Sequence, residues 1–219
     1  MDTFDQPAVA GYYAAAGSTL ARQLAGRRIH AGGWSAGQRA LPQAPGTGAE
    51  ITAEAGSGAR WFAWEVADST PSSVQVSAGN GADIATAATA ALALIEAITE
   101  AGGTAVPATD GQGGLLVFVN GIDDLADLAT TLAGRAPEIA TVDAAGTDGR
   151  AWLAISPAGS LVPAPYSLVD SVDGTGVVLP LTVDELAAVT AGMPLDPRPD
   201  EVADRLVSHG DLAASLIAH

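Results

Sequence analysis

The sequence contains no cysteine, which excludes disulfides, thiolate zinc sites and thiol catalysis together. It also contains no lysine, because all 9 basic residues are arginine. That removes Schiff-base chemistry, a P-loop lysine, and any lysine nucleophile that forms a nucleotidyl adduct. Aromatic residues make up only 5% of the chain, so its core must be built mainly from Ala, Val, Leu and Ile. Long apolar runs are also lacking. The stretch from Ile84 to Ile95 is alanine-rich and too short to span a bilayer. Met1-Asp2-Thr3-Phe4-Asp5 has neither a basic n-region nor an apolar h-region, so the expectation is a soluble cytoplasmic protein with no membrane partner.

Apolar residues amount to 48% and charged residues to 16% of 219, which describes a folded chain with a sizeable core rather than a disordered one. The length fits one domain spanning residues 1–219. Asp and Glu total 25, giving a net charge of −16. Affinity for nucleic acid comes largely from neutralising phosphates with Lys and Arg, so DNA and RNA are not expected partners. The only adjacent basic pair is Arg27-Arg28.

Apolar spacing predicts a helix over 7–24 carrying Tyr12, Leu20 and Leu24. Residues 31–60 are crowded with glycine and contain Pro42 and Pro45. They read as a flexible, irregular segment, with at most a short strand near Ile51. Strands are expected at Arg60–Val66, Val74–Val76, Ala105–Ala108, Leu115–Val119 and Ala151–Ile155, with shorter ones near Tyr166 and Val177. Helices are expected from about Asp83 to Ala101, around Leu125, Leu128 and Leu132, and after the capping box Thr182-Val183-Asp184-Glu185. Two short helices separated by Gly210 close the chain. This mixture predicts an α+β (mixed α/β) fold, with mixed sheets flanked by helices.

Several constellations invite a chemical reading and are better explained without one. Gly33-Trp34-Ser35-Ala36-Gly37 matches a nucleophile elbow, but neither the buried strand nor the helix that the elbow needs flanks it. Gly79-Asn80-Gly81 lies between a strand and a helix but lacks the third glycine of a dinucleotide fingerprint. Asp123, Asp124 and Asp127 fall in a first helical turn, where the macrodipole favours them. His30, His209 and His219 have no metal-ligand spacing. Trp61, Trp64 and Trp152 read as core anchors.

Four segments then fall in a suggestive order. They are Tyr12-Tyr13-Ala14-Ala15-Ala16 with Leu24-Ala25-Gly26-Arg27, Ala164-Pro165-Tyr166-Ser167-Leu168, Pro180-Leu181-Thr182-Val183-Asp184-Glu185-Leu186, and Val202 to Leu212. In that order and spacing the chain resembles the polymerase domain of bacterial DNA ligase D, a primase-polymerase fold. The resemblance covers most of the chain, in shortened form. It implies where the catalytic groups would stand, and those positions are altered. The family's D-L-D-P-G motif falls on Gln75-Val76-Ser77-Ala78-Gly79. Its S-G-S-K-G-L-H motif falls on Asp110-Gly111-Gln112-Gly113-Gly114-Leu115-Leu116. Its third metal carboxylate falls on Ala154, and the arginine ending A-P-Y-S-L-R falls on Val169.

Phosphoryl transfer needs carboxylate-held metals and cations on the phosphates. The degenerate positions Gln75, Ser77, Asp110, Gln112, Gly113, Leu116, Ala154 and Val169 supply neither of these as the family does. The expectation is therefore a non-enzymatic relative with no catalytic residue, metal or cofactor. It would bind an unidentified protein partner or small ligand in a remnant cleft near Asp110, Gln112, Ser156, Tyr166 and Ser167. The competing expectation is a nucleotidyltransferase-like repair protein with a rebuilt nucleotide site. The lost site is also expected to be refilled with apolar groups, through Leu116, Ala154, Ile155 and Val169.

Overall fold

The computed structural model describes residues 5–33, 37–67, 72–171, 174–195 and 198–217. In chain order its N-terminal part runs α1 (Gln6–Leu24), β1 (Ile29–Gly32), β2 (Arg39–Ala40), α2 (Gly48–Gly56) and β3 (Trp61–Glu65). The middle contains β4 (Ser72–Ala78), α3 (Ile84–Glu100), β5 (Thr104–Thr109), β6 (Leu115–Asn120), α4 (Leu125–Arg135), β7 (Ala140–Thr141) and β8 (Ala151–Ile155). The last part holds β9 (Leu161–Pro163), β10 (Leu168–Ser171), β11 (Gly174–Val177), α5 (Val183–Thr190) and α6 (Val202–His209). Among the described residues no helix is long and apolar enough to cross a membrane.

The segment expected to be irregular is the main correction. Its second half is helix α2, opened by a full capping box: the Glu50 N–H donates to Thr47 Oγ1 at 3.2 Å, and the Thr47 N–H donates to Glu50 Oε2 at 3.2 Å. Reciprocal capping of this kind satisfies two of the N–H groups that a helix start leaves free. Ile51, expected on a strand, and Ala55 lie one turn apart on the helix face that is fully buried against α1. The short strand expected near Tyr166 is β10, which begins at Leu168, and Tyr166 itself is not in a strand. Tyr166 sits between β9 and β10 with φ of 67°, a left-handed conformation that costs a non-glycine residue energy and must be held by its surroundings.

Two sheets carry the fold. The four-stranded sheet has the order β2-β1-β3-β9 and is antiparallel throughout. The five-stranded sheet has the order β5-β6-β4-β8-β7, and only the β7–β8 pair is parallel. Alternation along β6 divides the core. Leu115, Val117 and Val119 join Val74, Val76 and Leu153 against the alanine-rich face of α3, through Ala87, Ala91, Leu94 and Ile98. Leu116 and Phe118 face the other way, toward Phe62, Trp64 and α1. The Trp64 and Phe118 rings meet at 5.5 Å between centroids. Each fully buried Leu, Ile, Val or Phe in these layers contributes roughly 1.5–3 kcal/mol.

The C-terminal segment is tied back to the first helix. Gln23 Nε2 donates to Asp211 Oδ2 at 3.1 Å, and Arg27 donates to the Leu216 carbonyl at 2.7 Å. The Arg27 guanidinium also lies 4.4 Å from the centre of the Trp64 ring, and burial lowers its pKa to about 10, which leaves it charged at neutral pH.

Candidate functional site

On β4 the side chains alternate between the helical layer and the opposite, cleft face. Val74 and Val76 are fully buried toward the helices, which leaves Gln75 and Ser77 on the cleft face. The strand register then fixes their neighbours. Gln75 lies opposite Leu116 on β6 and Ala154 on β8, and Ser77 lies opposite Trp152. Residues directly opposite on antiparallel strands are neighbours on one face, with Cα atoms roughly 4.5–5.5 Å apart. The positions to which the resemblance gives a metal carboxylate, a histidine and a second metal carboxylate therefore form one row across three strands. The row holds an exposed amide, a buried isobutyl group and a half-buried methyl group. One step along, the Ser73 and Ser156 hydroxyls are 2.8 Å apart.

The row does not fit the two-metal centre that the fold family implies. A divalent pair needs charged oxygen ligands, and Gln75, Leu116 and Ala154 provide one neutral carbonyl oxygen. Among the described residues, no three His, Asp or Glu side chains gather closely enough to hold an ion.

The turn from Asp110 to Gly114 closes on its own carboxylate. Asp110 Oδ1 accepts the N–H of Gln112 at 2.7 Å and of Gly114 at 2.8 Å. Those are donors a phosphate would use, and an anion of the turn's own already occupies them. Gln112 Nε2 reaches across to the Asp170 carbonyl at 2.8 Å. Gly111, with φ of 73°, lies against the β10–β11 hairpin. A Cβ on Gly111 would strike Val169, and one on Gly176 would strike the Gly111 carbonyl, so both positions must be glycine for turn and hairpin to touch. Gly113 supplies another left-handed position in the same turn, at φ of 96°.

Tyr166 and Ser167 are corrections. Both were expected to line the cleft, and both are buried in structural hydrogen bonds. The Ser167 hydroxyl accepts the Phe62 N–H at 2.8 Å and donates to the Leu168 carbonyl at 3.0 Å. The Tyr166 hydroxyl donates to Asp211 at 3.1 Å and accepts the Leu212 N–H at 3.1 Å. The Tyr166 backbone is held by the Val178 carbonyl and the Tyr12 hydroxyl, each at 2.7 Å. Burial, with the Asp211 charge adding to it, pushes the Tyr166 phenol well above its ordinary pKa, so it stays a neutral donor.

Apolar refilling is partial. Leu116 and Val169 are buried, Ala154 is only half-buried, and Ile155 points to the helical layer, where it replaces nothing in the cleft. Of the tryptophans, Trp64 is a core anchor, while Trp61 and Trp152 are half-buried. Residues 34–36 of the serine motif and His219 lie outside the described residues. Of the three aspartates expected in the first turn of α4, only Asp127 lies there; Asp124 is the N-cap, accepting the Asp127 N–H at 2.8 Å, and Asp123 precedes the helix.

Sequence reasoning missed a groove of about 290 Å³ on the four-stranded sheet. Trp61, Ala63, Leu161 and Pro163 line it from β3 and β9, and Val169 and Asp170 close it from the hairpin. Its signal was the strand period, which puts Trp61 and Ala63 on the face opposite to Phe62 and Trp64.

No protein-family model matches the sequence, and no curated protein matches it. Among solved structures, the polymerase domain of Mycobacterium tuberculosis Ligase D, in complex with DNA, is similar, with a TM-score of 0.79. The match covers 96% of this chain and 91% of that chain at 20% sequence identity. The chain thus has the fold of the ligase D polymerase domain, a mixed α+β primase-polymerase fold.

Proposed function

We propose that this chain is a catalytically inactive relative of the ligase D polymerase domain that acts as a binding module for a small ligand or a protein. The observation that carries this reading is the row Gln75–Leu116–Ala154, where neighbouring strands present no carboxylate and no cation on the cleft face. The self-closed Asp110 turn supports it, since its amides are not free for a triphosphate. The solved neighbour was captured with DNA. For this chain a net charge of −16 argues against a polyanionic partner, and a cytoplasmic setting is part of the same reading.

The test is a primer-extension and nucleotide-addition assay with Mn²⁺ or Mg²⁺, run beside the mycobacterial domain. No product is expected from this chain. A metal-dependent product that disappears in Asp110→Ala would overturn the proposal in favour of a rebuilt nucleotide site. A titration with single-stranded and duplex DNA at physiological salt should show no micromolar binding; a steeply salt-dependent complex would count against the reading.

A further inference from the structure

We infer that the groove between the four-stranded sheet and the β10–β11 hairpin binds a small organic cation: an ammonium group carried on an aromatic or aliphatic body. The inference rests on the binding-module reading and names the ligand class for it. Three observations carry it.

The first is shape. About 290 Å³ lies near the lower end for small-ligand pockets and suits a molecule of roughly ten heavy atoms rather than a nucleotide. The second is the wall. Trp61, Leu161, Pro163 and Val169 give it an apolar lining, and the Trp61 indole lies across Gly32 so closely that a Cβ there would be 2.5 Å from the ring. The strand beneath therefore fixes the ring as a flat platform, and an indole is the preferred aromatic surface for a cation.

The third observation is charge. Asp170 is exposed at the rim, and among the described residues its carboxylate has neither an ion pair nor a hydrogen bond; Gln112 and the β10–β11 ladder engage its backbone. Most of the arginines are committed elsewhere. Arg22, Arg28, Arg39, Arg198 and Arg205 pair with carboxylates, and Arg27 and Arg150 donate to backbone carbonyls. A free carboxylate on the rim of a groove walled by an indole, on a chain of net charge −16, selects a cation and rejects anions.

The full chain would be titrated by ¹H–¹⁵N NMR with benzyltrimethylammonium, with neutral 2-phenylethanol and with anionic 3-phenylpropionate. The cation should give saturable shifts at the Trp61 indole N–H and the Ala63 amide. The neutral probe should bind about tenfold more weakly and the anion not at all. Asp170→Asn should bring the cation down to the affinity of the neutral probe while leaving the neutral probe unchanged, and Trp61→Leu should weaken both. Equal binding of cation and neutral probe, no effect of Asp170→Asn, shifts centred away from the groove, or no saturable binding would each overturn the inference. Such a failure in a chain that adds no nucleotides leaves the module reading intact. Metal-dependent nucleotide addition sinks that reading whatever the titration gives.

Discussion

The two faces of the five-stranded sheet are made by alternate residues of the same strands, and they have different characters. Toward the helices, Val74, Val76, Leu115, Val117 and Leu153 are buried to within 1% against α3. Toward the cleft, Gln75 is exposed and Ser77 and Ala154 are half-buried, while Leu116, Phe118 and Ser73 are covered. The helical face has no spare room for a changed side chain, so substitutions there are felt at once. The open half of the cleft face bears little of the stability. It is where a chain can exchange carboxylates for Gln, Ser and Ala and keep its fold.

The largest expected effect tests that asymmetry directly. Val76→Asp would place a carboxylate among apolar side chains with no partner, at a cost of several kcal/mol, enough to unfold a marginally stable domain. Gln75→Asp, one residue away on the open face, should change stability by about 0.5 kcal/mol or less. Urea unfolding of the two variants decides the matter, and equal costs would break the comparison. Next comes the boundary between cleft and core. Ser167→Ala leaves the buried Phe62 N–H without its acceptor and should cost about 1–3 kcal/mol, with no change in any groove ligand's affinity.

The helical layer also has a pH signature. The Arg205 hydrogen bond and the Thr182 cap hold Glu185 down to a pKa of about 2, against an ordinary 4.5. Because the folded value is depressed, its stabilisation is fully present above about pH 4.5 and is lost as the pH falls through about 2. Glu185 is partly exposed, so solvent screening keeps the contribution to about 1 kcal/mol or less. Glu185→Gln should therefore be less stable than the parent at pH 7 and converge with it in acid; a gap that persists at pH 2 would show that the loss is steric. The smallest effect is expected at Ala154→Asp. With Gln75 exposed beside it, the new carboxylate can stay hydrated, and the thermal midpoint should shift by no more than about 2 °C. A stabilisation by Mn²⁺ in that variant would mean that one carboxylate is enough to restore an ion site.

Much of the fold was legible because its signals are local. The capping box at Thr182, the alanine-rich run from about Asp83 and the unbroken apolar run Leu115–Val119 each predict an element that the structure contains. Helix α2 was equally legible in principle. Thr47 and Glu50 form a capping box, with Ile51 and Ala55 spaced one turn apart, but the density of glycine and proline around them pointed to a loop. The row across β6, β4 and β8 came from motif order, since nothing in composition pairs Gln75 with residues 116 and 154. Tyr166 and Ser167 could not be placed from sequence. A polar pair in a Pro-containing turn fits a cleft as well as a core, and only the tertiary partners Tyr12, Asp211 and Phe62 distinguish them. The groove was hidden for the same reason: its walls come from residues 61–63, 161–163 and 169–170, which meet only after folding.

The glycine contact between the Asp110 turn and the hairpin has a consequence for motion. With Gly111 and Gly176 touching through their backbones, the turn cannot slide along the hairpin, and the two must open as one body. Amide protons at Gln112 and Gly114 and those joining β10 to β11 should then exchange with solvent in a single event rather than as separate frayings. Whatever presses on Val169 or Asp170 from the four-stranded sheet is thereby felt at a turn belonging to the five-stranded one. The rim thus joins two sheets whose strands share no ladder.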